Sequence, residues 1–484
     1  MSESGNGSAN PPPCARAPPV LPRALLLLFL AYSAAGHAFT VCKNHQNLLG
    51  ITALDFQPDP PRAGEDLRVT ARGRSQVPVA AGSKVHLDVK VFGVVVSSQV
   101  LDVCELVQCP ISAGEDFDVT ISQPIPFGTP TKVNAMVRVR MLDATGAEQT
   151  CLESTVQVAA TDASGGQLGG VRPVQFLFDQ WTKMHPLAKH NLQVFAQNWE
   201  KIVKHNADPK QTFTMEMNEF GSLTVEEFAQ ERMGVKLSAT QTLMSSLPHV
   251  SLRSNPGLAD PPSELDWTEL GKVTKVKNQG RCGSCWAFSA MGAIESAFAI
   301  KTGKLVELSE QELVSCDTKD GACQGGLMDT AFDYLIRRGK GVCTAESYPY
   351  TSGTTGTRGT CNQDSCEAVE GTVPKSFADV GRSESALLAA VASHGPVSVA
   401  IQADQAAFQF YKSGVMTGAC GAHLDHGVLL VGYGTHEGKK FWKLKNSWGA
   451  SWGEEGYIRI IRGRRWPLTG QCGIAAAASY PIFE

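Results

Sequence analysis

The stretch 278–288, NQGRCGSCWAF, is a glycine- and cysteine-rich loop that leads into an apolar helical pattern. From Trp286 onward, apolar residues recur at the spacing of a helix, so Cys285 is predicted to stand in the first turn. The partial positive charge at a helix N-terminus favours a thiolate over a thiol. Because a thiolate is a strong nucleophile, this stretch predicts a reactive cysteine.

A nucleophilic cysteine needs a partner that takes up its proton and a group that orients this partner. His426 in LDHGV (424–428) and Asn446 in KNSWG (445–449) are the candidates. Papain and the cathepsins have their His and Asn roughly 130–150 residues after the cysteine. His426 follows Cys285 by 141 residues, within that range, and Asn446 follows it by 161, slightly beyond it. Residues 258–484 therefore resemble a papain-family cysteine peptidase, most closely of the cathepsin L type.

The resemblance implies a role for each residue of the site. Cys285 would attack the peptide carbonyl, and His426 would hold and then donate the proton. Asn446 would orient the His426 ring, and Trp448 would screen that contact from water. The Gln279 amide and the Cys285 backbone N–H would bind the oxyanion. The reaction implied is hydrolysis of proteins and peptides without a cofactor.

A substrate cleft is also implied by the resemblance. Gly325 and Gly326 would bind substrate backbone near the scissile bond. The pocket for the residue two positions upstream would be lined by Leu327, Met328, Ala400, Leu424 and Ala477. All are apolar, so the pocket is expected to prefer apolar to basic side chains. Ordinary core packing is the alternative interpretation of Leu327 and Met328.

Secondary-structure patterns divide the peptidase region in two. Residues 285–338 show helical periodicity, whereas strand patterns dominate from 371 onward. The sequence thus predicts an α+β domain with a helical lobe and a β-barrel-like lobe. Cys285 and His426 would face each other across the cleft between the lobes.

Residues 171–257 have a helical pattern whose motif 195–206, FxxNxxxIxxxN, resembles the inhibitory propeptide of cathepsin L-like peptidases. At four positions where that family has charged residues or glycine, this chain differs, with Leu187, Asn191, Glu216 and Ser222. The resemblance implies a segment that blocks the cleft and whose acid-triggered release is altered. A helical spacer between two domains is the alternative.

Residues 39–158 have the period-2 alternation of half-buried strands, as in 84–91 and 133–141. Several short strands separated by Gly and Pro predict a two-sheet sandwich. Four cysteines lie here, which allow three pairings. The short gap between Cys104 and Cys109 favours a local disulfide, which would leave Cys42 to pair with Cys151.

Several motifs in this region resemble the ML lipid-recognition family, which includes Niemann–Pick-type sterol carriers. They are the early Cys42, the PPRAG turn at 60–64, DVC at 102–104 and CPI at 109–111. The family implies an immunoglobulin-like sandwich that holds a lipid or sterol between its sheets. A sandwich with a filled core that binds nothing is the alternative.

Nine cysteines follow residue 261. The papain family implies disulfides between Cys282 and Cys323, Cys316 and Cys361, and Cys420 and Cys472. Cys343 and Cys366 would then pair by elimination, although the choice between Cys361 and Cys366 as partner of Cys316 stays open. A zinc site is the other use of the Cys282-x-x-Cys285 spacing, but no second ligand pair follows it, so no metal is expected.

Residues 1–38 have the features of a secretory signal peptide, with Arg23 before the apolar run 24–35 and small residues at Gly36 and Ala38. The run is shorter than the roughly 20 residues of a membrane span, so no permanent span is expected; a retained anchor is the alternative. Fourteen cysteines indicate an oxidising compartment, lysosomal or extracellular. The net charge of −4 suggests no nucleic-acid partner.

Together the patterns predict a multidomain zymogen: signal peptide 1–38, lipid-recognition sandwich 39–158, linker 159–170, propeptide 171–257 and peptidase 258–484. The alternative function is a lipid-binding or transfer protein whose peptidase serves mainly for self-processing.

Overall fold

The computed structural model describes residues 37–43, 45–126, 129–159, 173–237, 261–418, 420–463 and 469–483. Nearly all of the predicted signal peptide, most of the predicted linker and the end of the predicted propeptide lie outside these ranges. Among the described helices, none is both long enough and apolar enough to cross a bilayer.

In the N-terminal domain, the described residues form eight strands in two sheets. The strands are β1 (Phe39–Val41), β2 (Ile51–Gln57), β3 (Asp66–Arg74), β4 (Lys84–Val91), β5 (Val94–Asp102), β6 (Asp116–Pro124), β7 (Asn134–Leu142) and β8 (Glu148–Gln157). One sheet has the order β1-β8-β7-β4-β5 and the other β2-β3-β6. Alternate residues are buried, as the period-2 pattern predicts, and those of both sheets line one apolar cavity. Disulfides join Cys42 to Cys151 and Cys104 to Cys109, next to the short helix Val103–Leu106.

The predicted propeptide is a small helical unit with its own aromatic core. It comprises the helices Pro173–Met184, Leu192–Ala207 and Val225–Arg232 and the strand β9 (Phe213–Met215). Trp181 and Phe195 are fully buried, with ring centroids 5.4 Å apart. The two asparagines of the motif bind the backbone of the segment that follows the second helix. Asn198 Nδ2 donates to the carbonyls of Gly221 and Leu223, and Asn206 exchanges two hydrogen bonds with the Met215 backbone. The motif spacing thus places amide side chains where unpaired backbone groups need partners.

The predicted peptidase domain packs one apolar helix against a large sheet. Its helices are Cys285–Thr302, Glu310–Cys316, Met328–Arg338, Ser352–Thr355, Glu384–His394 and Ala406–Gln409. Its strands are β10 (Leu265–Asp266), β11 (Val342–Cys343), β12 (Ala368–Val369), β13 (Ser376–Asp379), β14 (Val397–Ile401), β15 (Tyr411–Met416), β16 (His426–His436), β17 (Lys439–Lys445), β18 (Tyr457–Ile461) and β19 (Ala478–Ile482). The sheet order is β13-β19-β14-β16-β17-β18-β15-β9, with β10 beside β16. The propeptide therefore contributes the edge strand β9.

The helix Cys285–Thr302 is buried on nearly all sides and packs against β16. Its sequence is apolar around the whole circumference, as expected of a helix at the centre of a domain. Four disulfides join Cys282 to Cys323, Cys316 to Cys361, Cys343 to Cys366 and Cys420 to Cys472.

Candidate active site

Cys285 is the first residue of the central helix, where the sequence predicts it. The preceding loop is held by the Cys282–Cys323 disulfide and by the Gly283 N–H, which donates to the Cys323 carbonyl at 3.0 Å. Among the described cysteines, Cys285 alone is free, and its side chain is fully buried. The helix start thus presents one thiol in a fixed position.

His426 is the first residue of β16, and Asn446 directly follows β17. His426 Nε2 lies 2.8 Å from Asn446 Oδ1. Asn446 Oδ1 also accepts the Ser447 backbone N–H, so it acts as an acceptor and the His426 proton belongs on Nε2. His426 Nδ1 is buried and has no hydrogen-bond partner among the described residues. This nitrogen is therefore available to take a proton.

Gly427 brings β16 against the start of the central helix. Its N–H donates to Cys285 Sγ at 3.4 Å, and a Cβ at this position would lie 3.2 Å from the Cys285 carbonyl oxygen. The close approach of the two backbones places His426 beside Cys285. Gly427 is a positioning residue that was not predicted from the sequence, although the HG pair within LDHGV is a signal for it.

Trp448 covers the His426–Asn446 pair. It is fully buried, and its ring centroid lies 4.7 Å from that of His426. The propeptide residues Phe220 and Phe228 also contact the Trp448 ring edge-on, with centroid distances of 5.8 and 5.1 Å. The propeptide therefore adds a second apolar layer that excludes water from the pair.

Gln279 directs its amide nitrogen at a backbone carbonyl of the propeptide. Nε2 donates to the carbonyls of Arg232 and Cys282, each at 2.9 Å. Oε1 accepts the Ser447 hydroxyl at 2.6 Å, which fixes the orientation of the amide. The Arg232 carbonyl oxygen of the propeptide thus accepts from the Gln279 amide, at the acceptor position that the family resemblance implies for the oxyanion.

Beyond Arg232, the propeptide backbone continues along the cleft. The N–H groups of Gly234 and Val235 donate to the Asp425 carbonyl, each at 2.9 Å. The Gly326 N–H donates to the Gly234 carbonyl at 2.9 Å, and the Lys236 N–H to the Gly326 carbonyl at 3.2 Å. A Cβ at Gly234 would lie 2.0 Å from the Gly283 carbonyl oxygen, so only glycine fits between the propeptide and the loop before Cys285.

The ionisation of the pair differs from the sequence prediction. Burial raises the pKa of the Cys285 thiol to about 12 and lowers the pKa of His426 to about 4. Both shifts favour the neutral form, because a charge inside a water-free site loses its hydration. The helix N-terminus favours the thiolate, as the sequence predicts, but desolvation by burial is the larger effect. The described state is therefore a neutral, inactive pair.

Arg232 is a further propeptide contact that the sequence analysis missed. Its side chain is only 7% exposed, its guanidinium lies 4.6 Å from the centroid of the Phe220 ring, and Nη1 donates to the Gly280 carbonyl at 2.9 Å. Burial lowers the pKa of Arg232 and raises that of nearby Glu219. Nothing in the local sequence around 232 indicates a contact with residues near 280.

Directly before the loop 278–288, the largely buried side chain of Lys277 forms ion pairs with two carboxylates. Lys277 Nζ lies 2.8 Å from a Glu295 oxygen and 2.6 Å from a Glu310 oxygen. The two carboxylates raise the pKa of Lys277 despite its burial. The pairing fixes the start of the loop to the central helix and to the helix Glu310–Cys316.

The residues assigned to the substrate pocket lie in one apolar cluster. Met328, Ala400 and Leu424 are buried members of it, and Leu327 and Ala477 pack against it half-buried. Gly325 and Gly326 are both buried at its edge. The propeptide residue Val235 belongs to the same cluster and is bridged to Gly326.

Three groups of potential metal ligands occur among the described residues. Two of them include cysteines that are already disulfide-bonded, Cys151 in one and Cys343 with Cys366 in the other. The third consists of Asp404, His423 and Asp425. Burial and the neighbouring Asp404 raise the pKa of Asp425 to about 8. None of these three groups includes Cys285 or His426.

Family models match three consecutive parts of the chain. They are the ML domain over residues 36–158, the cathepsin propeptide inhibitor domain (I29) over 188–228 and the papain family cysteine protease over 261–482. The order of the three parts that the sequence analysis predicts is thereby confirmed.

Similar proteins are plant and insect cysteine proteases. The KDEL-tailed cysteine endopeptidase CEP2 of Arabidopsis thaliana is 43% identical, over 63% of this chain and 85% of that protein. Cysteine proteinase EP-B 1 of Hordeum vulgare is 42% identical, over 63% and 83%. Among solved structures, the proform of the ragweed pollen allergen Amb a 11 is 39% identical with a TM-score of 0.58, over 64% of this chain and 95% of that one. Digestive procathepsin L 3 of Tenebrio molitor is 34% identical with a TM-score of 0.54, over 64% and 99%.

The chain belongs to the papain family of cysteine proteases. It is a cysteine endopeptidase zymogen with an I29 propeptide, and an ML domain precedes the propeptide.

Proposed function

We propose that Cys285, His426, Asn446 and Gln279 carry out peptide-bond hydrolysis. The supporting observation is the arrangement of Gln279, whose amide already donates to a peptide carbonyl in the cleft at 2.9 Å. In the active enzyme a substrate carbonyl takes that position, and Cys285 Sγ attacks its carbon. Negative charge moves to the carbonyl oxygen, where the Gln279 amide and the Cys285 N–H stabilise it.

His426 then completes the first half of the reaction. Its protonated ring gives a proton to the leaving amine as the C–N bond breaks, and an acyl-enzyme remains on Cys285. Water, deprotonated by His426, then attacks the acyl carbon. The C–S bond breaks, the carboxylic acid product leaves, and Cys285 and His426 return to their starting state. The Asn446 side chain holds the imidazole ring in one orientation during both proton transfers.

Activation requires the propeptide to leave the cleft. Water then reaches Cys285 and His426, and the desolvation that keeps both neutral is lost. The thiol pKa falls and the imidazole pKa rises, so the pair becomes thiolate and imidazolium. Proteolytic removal of residues 171–257 makes this change permanent.

The substrate pocket prefers an apolar side chain two positions upstream of the cut. The cluster of Met328, Ala400 and Leu424 offers no carboxylate to a basic side chain, and Ala477 at its edge adds none. An Arg side chain buried there would lose its hydration without gaining a partner.

Peptides with Phe-Arg or Leu-Arg before the cut are expected to exceed Arg-Arg peptides by at least about tenfold in kcat/KM, or about 1.4 kcal/mol. Ala477→Glu should narrow this gap, because a carboxylate would then pair with the basic side chain. Ala477→Gln is the matched control without charge. Steady-state kinetics on the mature enzyme checks this, and equal rates for the two substrate classes would refute the apolar pocket.

The N-terminal domain binds a lipid or sterol between its two sheets as an immunoglobulin-like sandwich. The cavity between the sheets is lined by apolar residues of both, including Ala71, Val119, Val139 and Met141. Its free volume is about 30 Å³, whereas ligand pockets usually measure about 300–1,000 Å³. The sheets must therefore spread to admit a ligand, which gains about 25 cal/mol per Å² of apolar area removed from water.

The full chain with Cys285→Ser, expressed in an oxidising host, should yield lipid on organic extraction and bind a fluorescent sterol or fatty acid saturably at micromolar concentration. Ala71→Leu, which fills part of the cavity, should weaken binding. The exposed residue Val100 offers the matched control Val100→Leu. A folded chain that carries no lipid and shows no saturable binding would refute the lipid function.

The lipid domain tethers the peptidase to lipid-rich surfaces or lipid-bearing substrates on the secretory route. The competing function is lipid transfer, with a peptidase that serves only for self-processing. Intact-mass and N-terminal analysis of protein from its own cells distinguishes them. Retention of Phe39 in the active form supports joint action, whereas a mature chain beginning near residue 261 shows that the lipid domain is discarded.

A further inference from the structure

The turn between β4 and β5 holds an aromatic residue in a backbone conformation that such residues rarely adopt. Phe92 and Gly93 form a two-residue loop with φ values of 44° and 89°, closed by the Val91–Val94 pair. Hairpin loops with two positive φ values favour Asn-Gly, because asparagine tolerates the left-handed region and phenylalanine does not. A strained residue retained in a tight turn points to a function of its side chain.

The side chain and backbone of this turn both contact the propeptide. The Phe92 ring lies edge-on to Trp199 of the helix Leu192–Ala207, with centroids 5.1 Å apart. The Phe92 carbonyl accepts the Met217 N–H at 2.8 Å. A Cβ at Gly93 would lie 2.4 Å from the Met217 carbonyl oxygen, so the glycine permits the close approach.

The same propeptide segment contacts the enzyme on its other side. Strand β9 pairs with β15, and the Glu216 N–H donates to the Phe410 carbonyl at 2.9 Å. Consecutive amides, those of Glu216 and Met217, thus bind the enzyme and the N-terminal domain respectively. The helix Pro173–Met184 also packs against β5. Residues 213–217 therefore lie between the two domains.

We propose that the N-terminal domain has a second function as an inhibitory module of the zymogen. Its β4–β5 turn clamps residues 213–217 onto β15, and this keeps residues 232–237 in the cleft over Cys285. Because the three parts belong to one chain, the clamp acts at high effective concentration. The proposal does not depend on lipid binding by the domain.

Phe92→Asn tests the clamp, because it should stabilise the β4–β5 turn and at the same time weaken the contact of the turn with the propeptide. Asparagine suits the turn, so β4 and β5 should be at least as stable, but the ring contact with Trp199 is lost. The rate at which a papain-type epoxide alkylates Cys285 in the full-length chain should rise about threefold to tenfold, the effect of one aromatic pair. Val100→Ala, at an exposed residue of β5, is the matched control and should leave the rate unchanged.

Hydrogen exchange in the full-length Cys285→Ser chain gives the second readout. Phe92→Asn should accelerate exchange of the Met217 amide while amides of β4 and β5 exchange no faster. Trp199→Leu removes the other ring of the pair and should act in the same way, and the double variant should alkylate no faster than the faster single variant. Unchanged alkylation and unchanged Met217 exchange in both single variants would overturn the proposal, as would full additivity in the double variant.

Discussion

Cys285→Ser is expected to lower kcat/KM by at least about 10⁴-fold, the scale on which removal of a nucleophile acts in other proteases. Serine is close in size to cysteine and lies in a fully buried site, so the fold should not change. Its hydroxyl is a far weaker nucleophile than a thiolate at neutral pH. If activation is autocatalytic, the variant should also accumulate as the unprocessed chain.

Addition of a small amount of mature wild-type enzyme provides the control. The Cys285→Ser zymogen should then be processed in trans, which shows that its propeptide is folded and cleavable. Activity within about tenfold of wild type would assign the chemistry to another residue.

Gln279→Ala is expected to lower kcat by about 10²–10³-fold with little change in KM, the usual effect of removing an oxyanion donor. The amide is held by Ser447 and faces a peptide carbonyl, the geometry that such a donor needs. Steady-state kinetics on the activated enzyme checks both constants.

Ser447→Ala is the matched control for Gln279. It removes the hydroxyl that orients the amide but leaves the amide donor in place, so kcat should fall by less than about tenfold. Equal losses in the two variants would show that the damage is structural, and a raised KM with unchanged kcat would place Gln279 in ground-state binding instead.

The parts of the site that could be predicted from the sequence are those coded by short local motifs. The loop 278–288 combines a helix start with a cysteine, and the segments around His426 and Asn446 have their own patterns. Clear period-2 alternation also predicts the positions of strands. The predicted strand 84–91 is β4, and the predicted strand 133–141 is β7, shifted by one residue. In each instance the physical signal lies within a few neighbouring residues.

Contacts between distant segments could not be predicted in this way. The Arg232 guanidinium donates to the Gly280 carbonyl, and the Phe92 carbonyl accepts the Met217 N–H. The sequence around Arg232 and Phe92 has no pattern that identifies these partners. Ionisation is also a property of the assembled site. The N-terminus of the helix predicts a thiolate at Cys285, but burial in the folded chain raises the thiol pKa to about 12.

The sequence SEQE at 309–312 has the pattern of a capping box, and the structure shows how tertiary contacts change such a local pattern. Ser309 caps the helix as expected and accepts the Glu312 N–H at 3.2 Å. The Glu312 carboxylate binds Arg338 and the Cys343 N–H instead of returning to the Ser309 backbone. A buried guanidinium offers a carboxylate a stronger partner than a neutral backbone N–H does, so only half of the box forms.

The most direct test of the central claim, that the propeptide keeps a catalytic Cys285 neutral and covered, is to map the adduct of a papain-type epoxide before and after activation. Mass spectrometry should find a single adduct on Cys285 in the activated enzyme and far slower labelling in the intact chain, because the thiol there is fully buried and un-ionised. An adduct on another residue, or equally fast labelling of Cys285 in the intact chain, would contradict the account.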